Sequence, residues 1–447
     1  MKSWLEASSA YWDRRVLVIL FLGFSSGLPF LLVFSTLSAW LESAGVSLAA
    51  IGLFSLARTP YSFKFLWAPL IDRVPLPGLT RWLGRRRGWA LLTQAALLAA
   101  IFAMAGTSPA ENPTATALFA LLVAFCSASQ DIVIDAFRVE SLDEDQQGAG
   151  AATIVFGYRV GLLTAGAGSF WLASVFTWNE VYMVMAVLVV IGMGAVLFAE
   201  EPPEGVSVAA AEREETAVAG RLSATWPGWA ARAAAWFYEA VLAPFRDFMT
   251  RPGWLAIVAF IMLYKLGEAY LGVMANPFYL KMGFSTVEIA NVSKVFGFGA
   301  TLIGAFVGGL MVSRYGILKS LLVCGVLQIF GTLMFCVQAL AGHNIAMLTL
   351  TIAAENVTAG MATSAFVAYL SMLCHQAYTA TQYALLSSLM AFARDVVSAT
   401  SGMAAETMGW FGFFLFSAAL AVPGLLVLVW LMRRYPVVDT AAVPAAP

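Results

Sequence analysis

Asp72-Arg73, then Gly84-Arg85-Arg86-Arg87, are matched about 240 residues later by Gly309-Leu310-Met311-Val312-Ser313-Arg314-Tyr315-Gly316 and Lys319. Each stretch stands between the second and third long apolar runs of its half. Arg159 and Arg394, both inside apolar runs, are separated by nearly the same distance. A repeat of that length in an apolar chain is the mark of a duplicated helical bundle.

Composition agrees. Of 447 residues, 61% are apolar and 11% charged, where a soluble domain carries about 25% charged residues. The chain reads as an integral membrane protein. A net charge of −1 argues neither for nor against nucleic acid, and with no compact basic domain to bind it no nucleic-acid partner is expected. Two histidines and four cysteines leave little for a metal or cofactor site, and none is expected. Cys126, Cys324 and Cys336 lie in apolar runs and Cys374 near the end of one, with no CxxC pair, so buried inert thiols are expected. Arg14-Arg15 before an apolar run mimics a signal peptide. The run continues to about Leu41 without a small-residue cleavage site, so it reads as a retained first span.

A span needs about twenty mostly apolar residues. Candidates fall at 16–40, 48–71, 88–106, 114–138, 150–173, 181–199, 253–277, 286–312, 317–339, 345–371, 379–402 and 408–432. No alternating strand pattern repeats, so these are helices. The expected fold is all-α: twelve transmembrane helices in two six-helix halves, the layout of the major facilitator fold. Residues 1–199 form the first half, 200–250 a cytoplasmic linker, 251–434 the second half and 435–447 a tail. Within the linker, Trp229–Phe245 combines aromatics with scattered Arg and reads as an interfacial helix. Among loop Lys and Arg, Lys281 alone falls on the side opposite the N-terminus, which places both termini in the cytoplasm. The basic loop resembles that superfamily's conserved latch, in which an Asp near a helix end pairs with Arg. Asp72, Arg73 and Arg314 are the candidates, with Ser313 replacing the acid in the second copy.

Several motifs lead elsewhere. Gly23-Phe24-Ser25-Ser26-Gly27 matches a nucleophile elbow, yet it lies inside an apolar helix, where glycines four apart suit close packing instead. Asn291 and Asn356 begin sequons at or within spans, so neither is a glycosylation site. No P-loop occurs, so this chain brings no ATP hydrolysis of its own. His343 and His375 read as surface residues.

The charges inside apolar runs carry the functional signal. Arg58, Lys64, Arg159, Lys265, Lys294 and Arg394 are matched by Asp131, Asp135, Glu268, Glu355 and Asp395. Each costs about 2.5–3.5 kcal/mol at membrane depth on insertion scales, so each needs a partner or a ligand. Asp131 and Asp135 share a helix face, as do Lys265 and Glu268. The reading is a polar cavity between halves through which an anionic solute passes. Arg58, Lys64, Arg159, Lys265, Lys294 and Arg394 would hold its anionic groups, with Gln130, Asn276 and Asn356 as polar contacts and Tyr158, Tyr264 and Tyr270 stacking on sugar rings. Burial favours a neutral carboxyl group, so Asp131, Glu268 and Glu355, with Asp135, are the proton-carrying candidates.

Longer motifs name a family. Gly23-Phe24-Ser25-Ser26-Gly27-Leu28-Pro29-Phe30, Lys64-Phe65-Leu66-Trp67-Ala68-Pro69-Leu70-Ile71-Asp72-Arg73 and Ser129-Gln130-Asp131-Ile132-Val133-Ile134-Asp135-Ala136 resemble the AmpG-type muropeptide permeases. So do Tyr264-Lys265-Leu266-Gly267-Glu268, Glu355-Asn356 and Ala380-Thr381-Gln382-Tyr383-Ala384-Leu385-Leu386-Ser387. Glu140 departs mildly, standing where Asp is common. The resemblance implies an inner-membrane permease of Gram-negative bacteria. It would import N-acetylglucosaminyl-1,6-anhydro-N-acetylmuramyl peptides for cell-wall recycling, driven by protons, and supply the inducing signal for β-lactamase. A monomer is expected. Competing readings are the same fold carrying a nucleotide or acyl-coenzyme A, a membrane enzyme acting on lipid-linked sugars, and a receptor without transport.

Overall fold

The computed structural model describes residues 10–46, 54, 57, 59–143, 146–203, 216, 220, 223, 227–375, 378–398 and 400–435. Ten helices among them are long and apolar enough to cross a membrane. They are α1 (Arg14–Leu41), α4 (Arg85–Ala105), α5 (Pro113–Ser141), α6 (Gln147–Ala173), α7 (Trp178–Phe198), α10 (Trp254–Lys281), α11 (Asn291–Tyr315), α12 (Ile317–Ala341), α13 (Ile345–Met372) and α15 (Ser401–Arg434). The second place in the bundle is held by α2 (Thr59–Phe63) and α3 (Ala68–Arg73), and the eleventh by α14 (Thr379–Ser398). Two further helices, α8 (Gly228–Phe237) and α9 (Ala243–Thr250), precede the second half. Side chains such as Val187, Phe330, Leu340 and Leu350 stand exposed on the outside, as side chains of membrane-crossing helices do where they face lipid.

Several spans are not the uninterrupted rods the apolar runs suggest, and three of the interruptions lie at the second, seventh and eighth. The described part of the second breaks between α2 and α3 through a single tight turn, Lys64–Leu66. Pro69 explains it, because a proline ring clashes with the carbonyl four residues earlier and restricts the residue before it. The seventh splits into Trp254–Leu263 and Leu266–Lys281, with Lys265 at φ −101° and ψ 4°. No proline stands at that break. The eighth opens through a widened turn, Ala290–Phe296, before regular helix resumes. Lys64 and Lys265 therefore leave the backbone at interruptions in their spans.

Glycine sets how closely the spans approach. A Cβ on Gly27 would lie 2.1 Å from the Tyr158 carbonyl oxygen, and one on Gly23 2.5 Å from that of Ile154. Gly157 and Gly161 answer from α6, at 2.1 Å and 2.4 Å from the Leu20 and Phe24 carbonyls. The elbow-like motif is thus a helix-packing motif. Backbone oxygens cannot yield as a side-chain tip can, so Gly157→Leu must part α1 from α6. A loss of about 3 kcal/mol or more is expected, above ordinary overpacking. Thermal unfolding in detergent checks it; an unshifted midpoint would show that these helices separate freely.

Candidate substrate chamber and gate

On the N-terminal side α5 presents Asp131 and Asp135 one turn apart. Asp131 Oδ1 accepts from Ser26 Oγ at 2.5 Å. Lys64 Nζ, supplied by the interrupted second span, lies 3.8 Å from Asp135 Oδ2 and acts on Asp131 as well. On the C-terminal side, the break in α10 turns Lys265 back onto Glu268, and its ammonium also donates to Thr363 Oγ1 at 2.8 Å. Gln328 Nε2 gives Glu268 a further bond at 2.7 Å. Glu355 is buried in α13 with Thr332 Oγ1 at 3.4 Å and makes no ion pair among the described residues.

Arg159, on α6 of the first half, faces the second group. It is near enough to act on Glu268 in the opposite half and on Tyr158 beside it, and Tyr158 in turn feels Asp131, Asp135 and Arg394. Among the described residues Arg159 makes no hydrogen bond or ion pair, though it is half-buried. A guanidinium presents five donors in a fixed fork suited to carboxylate or phosphate, and none of those of Arg159 is spent on the described residues. Arg394 contributes from α14 in the second half.

Other expected contacts also make hydrogen bonds inside the protein. Gln130 is wholly buried; its Nε2 donates to the Ser25 carbonyl at 2.9 Å and its Oε1 accepts from Ser25 Oγ at 3.0 Å. Tyr264 donates to the Leu321 carbonyl at 2.9 Å and stacks on Phe366. Tyr270 meets Thr400 Oγ1 and stacks on Phe413. Asn356 accepts from Thr301 Oγ1 and donates to the Ile352 carbonyl. A polar group in an apolar helix needs a partner, and these four find theirs in helix packing. Asn276 is exposed on α10. Arg58 and the side chains of Lys294 and Asp395 lie outside what the structure describes.

The latch differs from the expected Asp72–Arg73 pair. Arg73 lies over the Tyr378 ring at 5.4 Å and Arg314 over Tyr315 at the same distance. Asp72 instead pairs with Arg86 at 2.6 Å, both buried, and Arg86 grips Glu140 through two bonds of 2.8 Å and 2.6 Å. Sequence neighbours on a short helix diverge, whereas α4 delivers Arg86 from across the loop. The Arg85-Arg86-Arg87 run was visible; its partner Glu140 was not, because the pairing joins separate helices. Asp72 Oδ2 also accepts from the Thr381 N–H and hydroxyl, both at 2.9 Å, across the halves. Arg138 to Ser371 Oγ at 2.8 Å and Tyr11 to the Phe306 carbonyl at 3.3 Å join the halves at the same end. Gly148 and Gly309 touch there too: a Cβ on either would lie 2.7 Å from the other's carbonyl oxygen.

Removing one member of a buried ionic cluster strands the others and costs about 3–5 kcal/mol. Arg86→Met is expected to destabilise by that order, because it leaves Asp72 and Glu140 buried without their cation. Chemical denaturation of the purified protein measures it; full stability in the variant would make the cluster incidental.

This arrangement, two helical halves meeting at one end with ionised groups between them, is that of a membrane carrier. The Major Facilitator Superfamily profile matches residues 16–394. The anhydromuropeptide permease of Escherichia coli (strain K12) is 39% identical over 417 residues, 93% of this chain and 79% of that protein. Among solved structures, the proton:xylose symporter XylE bound to 6-bromo-6-deoxy-D-glucose superposes with a TM-score of 0.68 at 12% identity, covering 96% of each chain. The human organic anion transporter MFSD10 (TETRAN) gives 0.60 at 16% identity, covering 93% of this chain and 99% of that one. The chain belongs to the major facilitator superfamily, among its AmpG-type permeases. It is a multi-pass membrane transporter and not an enzyme.

Proposed function

We propose that the protein imports anhydromuropeptides, N-acetylglucosaminyl-1,6-anhydro-N-acetylmuramyl peptides, from periplasm to cytoplasm across the bacterial inner membrane. Its termini lie on the cytoplasmic side. The observation that carries this reading is Arg159, half-buried and without an ion pair or hydrogen bond among the described residues, on a helix of one half and near enough to act on Glu268 of the other. A peptide carboxylate supplies the anion that such a cation lacks, and the 39% identity to a named anhydromuropeptide permease supplies the sugar. Arg159, Lys64, Lys265 and Arg394 bind the solute, with Tyr158 beside them. Asp131 and Glu355, the two of the four candidate carboxyls that make no ion pair among the described residues, take up the proton; Glu268 is held by Lys265. Asp72 with Arg86, Glu140 and Thr381 latches the cytoplasmic end until both halves are loaded. The protein works as a monomer, needs no cofactor, and by returning muropeptides to the cytoplasm delivers the β-lactamase-inducing signal.

Uptake of labelled disaccharide-peptide into proteoliposomes tests this. Competition by unlabelled anhydromuropeptide and collapse by an uncoupler are expected. Competition instead by a nucleotide or acyl-coenzyme A would assign the same chamber to another anion.

A further inference from the structure

Two consecutive residues of α14 engage two different bodies. Thr381 bonds Asp72 across the halves, as described. Gln382, 1% exposed, spends its amide on the segment preceding the second half. Its Nε2 donates to the Pro244 carbonyl at 3.1 Å and to Asp247 Oδ2 at 2.8 Å. Its Oε1 accepts from the His375 N–H at 2.7 Å. Arg251 closes the knot, reaching Asp247 at 2.9 Å and the Leu373 carbonyl. Pro244 and Asp247 both belong to α9.

The start of the joining segment is fastened as well. Glu201 accepts from the Arg86 N–H at 2.7 Å and the Arg87 N–H at 3.0 Å, capping α4. Arg86 is the residue whose side chain holds Asp72. The segment between the halves thus grips both jaws of the latch, beside Asp72 at its start and beside Thr381 at its end.

We propose that Gln382 is a positioning residue for this latch: by tying the first turn of α14 to α9, it presents Thr381 to Asp72, so the joining segment sets how readily this end opens. The first N–H groups of a helix lack intrahelical partners, and the direction of the Thr381 N–H follows that of its turn. Without Gln382 the turn loses its three bonds, two to α9 and one to the chain at His375, and is free to fray. The inference deepens the transport reading, on which the meaning of opening rests; the geometry it invokes can be read without any solute.

The test uses the full-length protein in liposomes, without solute, carrying spin labels at Arg81→Cys and Lys319→Cys, exposed positions at the latch end of opposite halves. Gln382→Ala is expected to raise the long-distance population about five-fold, as loss of one net hydrogen bond would. Asp247→Ala is expected to do the same, and Asp247→Asn, which keeps an acceptor oxygen, to match the parent. Thr381→Val is the positive control. Distances that shift in Thr381→Val but stay put in both alanine variants would overturn the proposal. Asp247 is 30% exposed, so its variants carry the test if Gln382→Ala fails to fold. Shifted distances together with uptake that anhydromuropeptide does not compete would leave the coupling standing and remove the solute assignment.

Discussion

Arg159→Gln is expected to lower uptake of the peptide-bearing solute about a hundred-fold at low concentration, mainly through KM. Truncating one partner of a desolvated charge contact costs about 2–5 kcal/mol, and about 3 kcal/mol corresponds to that factor. The expectation is sharp because Arg159 makes no ion pair or hydrogen bond to the described residues that its removal would break. Arg159→Lys retains the charge but loses the two-pronged fork, so an intermediate loss is expected. Initial rates over a range of solute concentrations separate KM from kcat. A normal KM in Arg159→Gln would remove the anion-binding role.

The second large effect concerns coupling. Asp131→Asn is expected to abolish accumulation against a gradient while leaving exchange of labelled for unlabelled solute intact. Asp131 is held by one hydroxyl, Ser26 Oγ, and Lys64 makes its ion pair with Asp135 instead. Asparagine can still accept that hydroxyl hydrogen bond, so the fold should tolerate the change. A gradient worth about 2.3 kcal/mol per translocated charge sustains about a fifty-fold concentration ratio, and the variant's ratio should fall to near one. Retained accumulation would transfer the role to another carboxyl, with Glu355→Gln the next variant to measure. Loss of exchange as well would make Asp131 a binding residue.

Much of this architecture is legible in the chain. Apolar runs and one-sided loop charge report on single helices and their solvent, which composition records directly. The glycines at 23 and 27 announced close packing because their spacing is a local property. The break at Lys64 could have been read from Pro69, since proline acts on its own backbone. The break at Lys265 has no such residue; what accompanies it is the turn of the side chain onto Glu268 and Thr363, a tertiary contact. The same limit explains the internally bonded residues. Gln130, Tyr264, Tyr270 and Asn356 each signalled a polar need inside an apolar helix, but the partners that meet it, Ser25, Leu321, Thr400 and Thr301, come from elsewhere in the bundle. The latch was half legible: Asp72 and the arginine run were plain, whereas Glu140 and Thr381 join them only after folding.

The account depends most on cations of the chamber meeting the solute's peptide. Calorimetric titration of the purified protein and of Arg159→Gln, with the intact anhydromuropeptide and with the sugar-only fragment, tests that directly. The predicted result is a large loss of affinity for the peptide-bearing compound and almost none for the fragment. Equal affinities of the two proteins for the intact compound would contradict it.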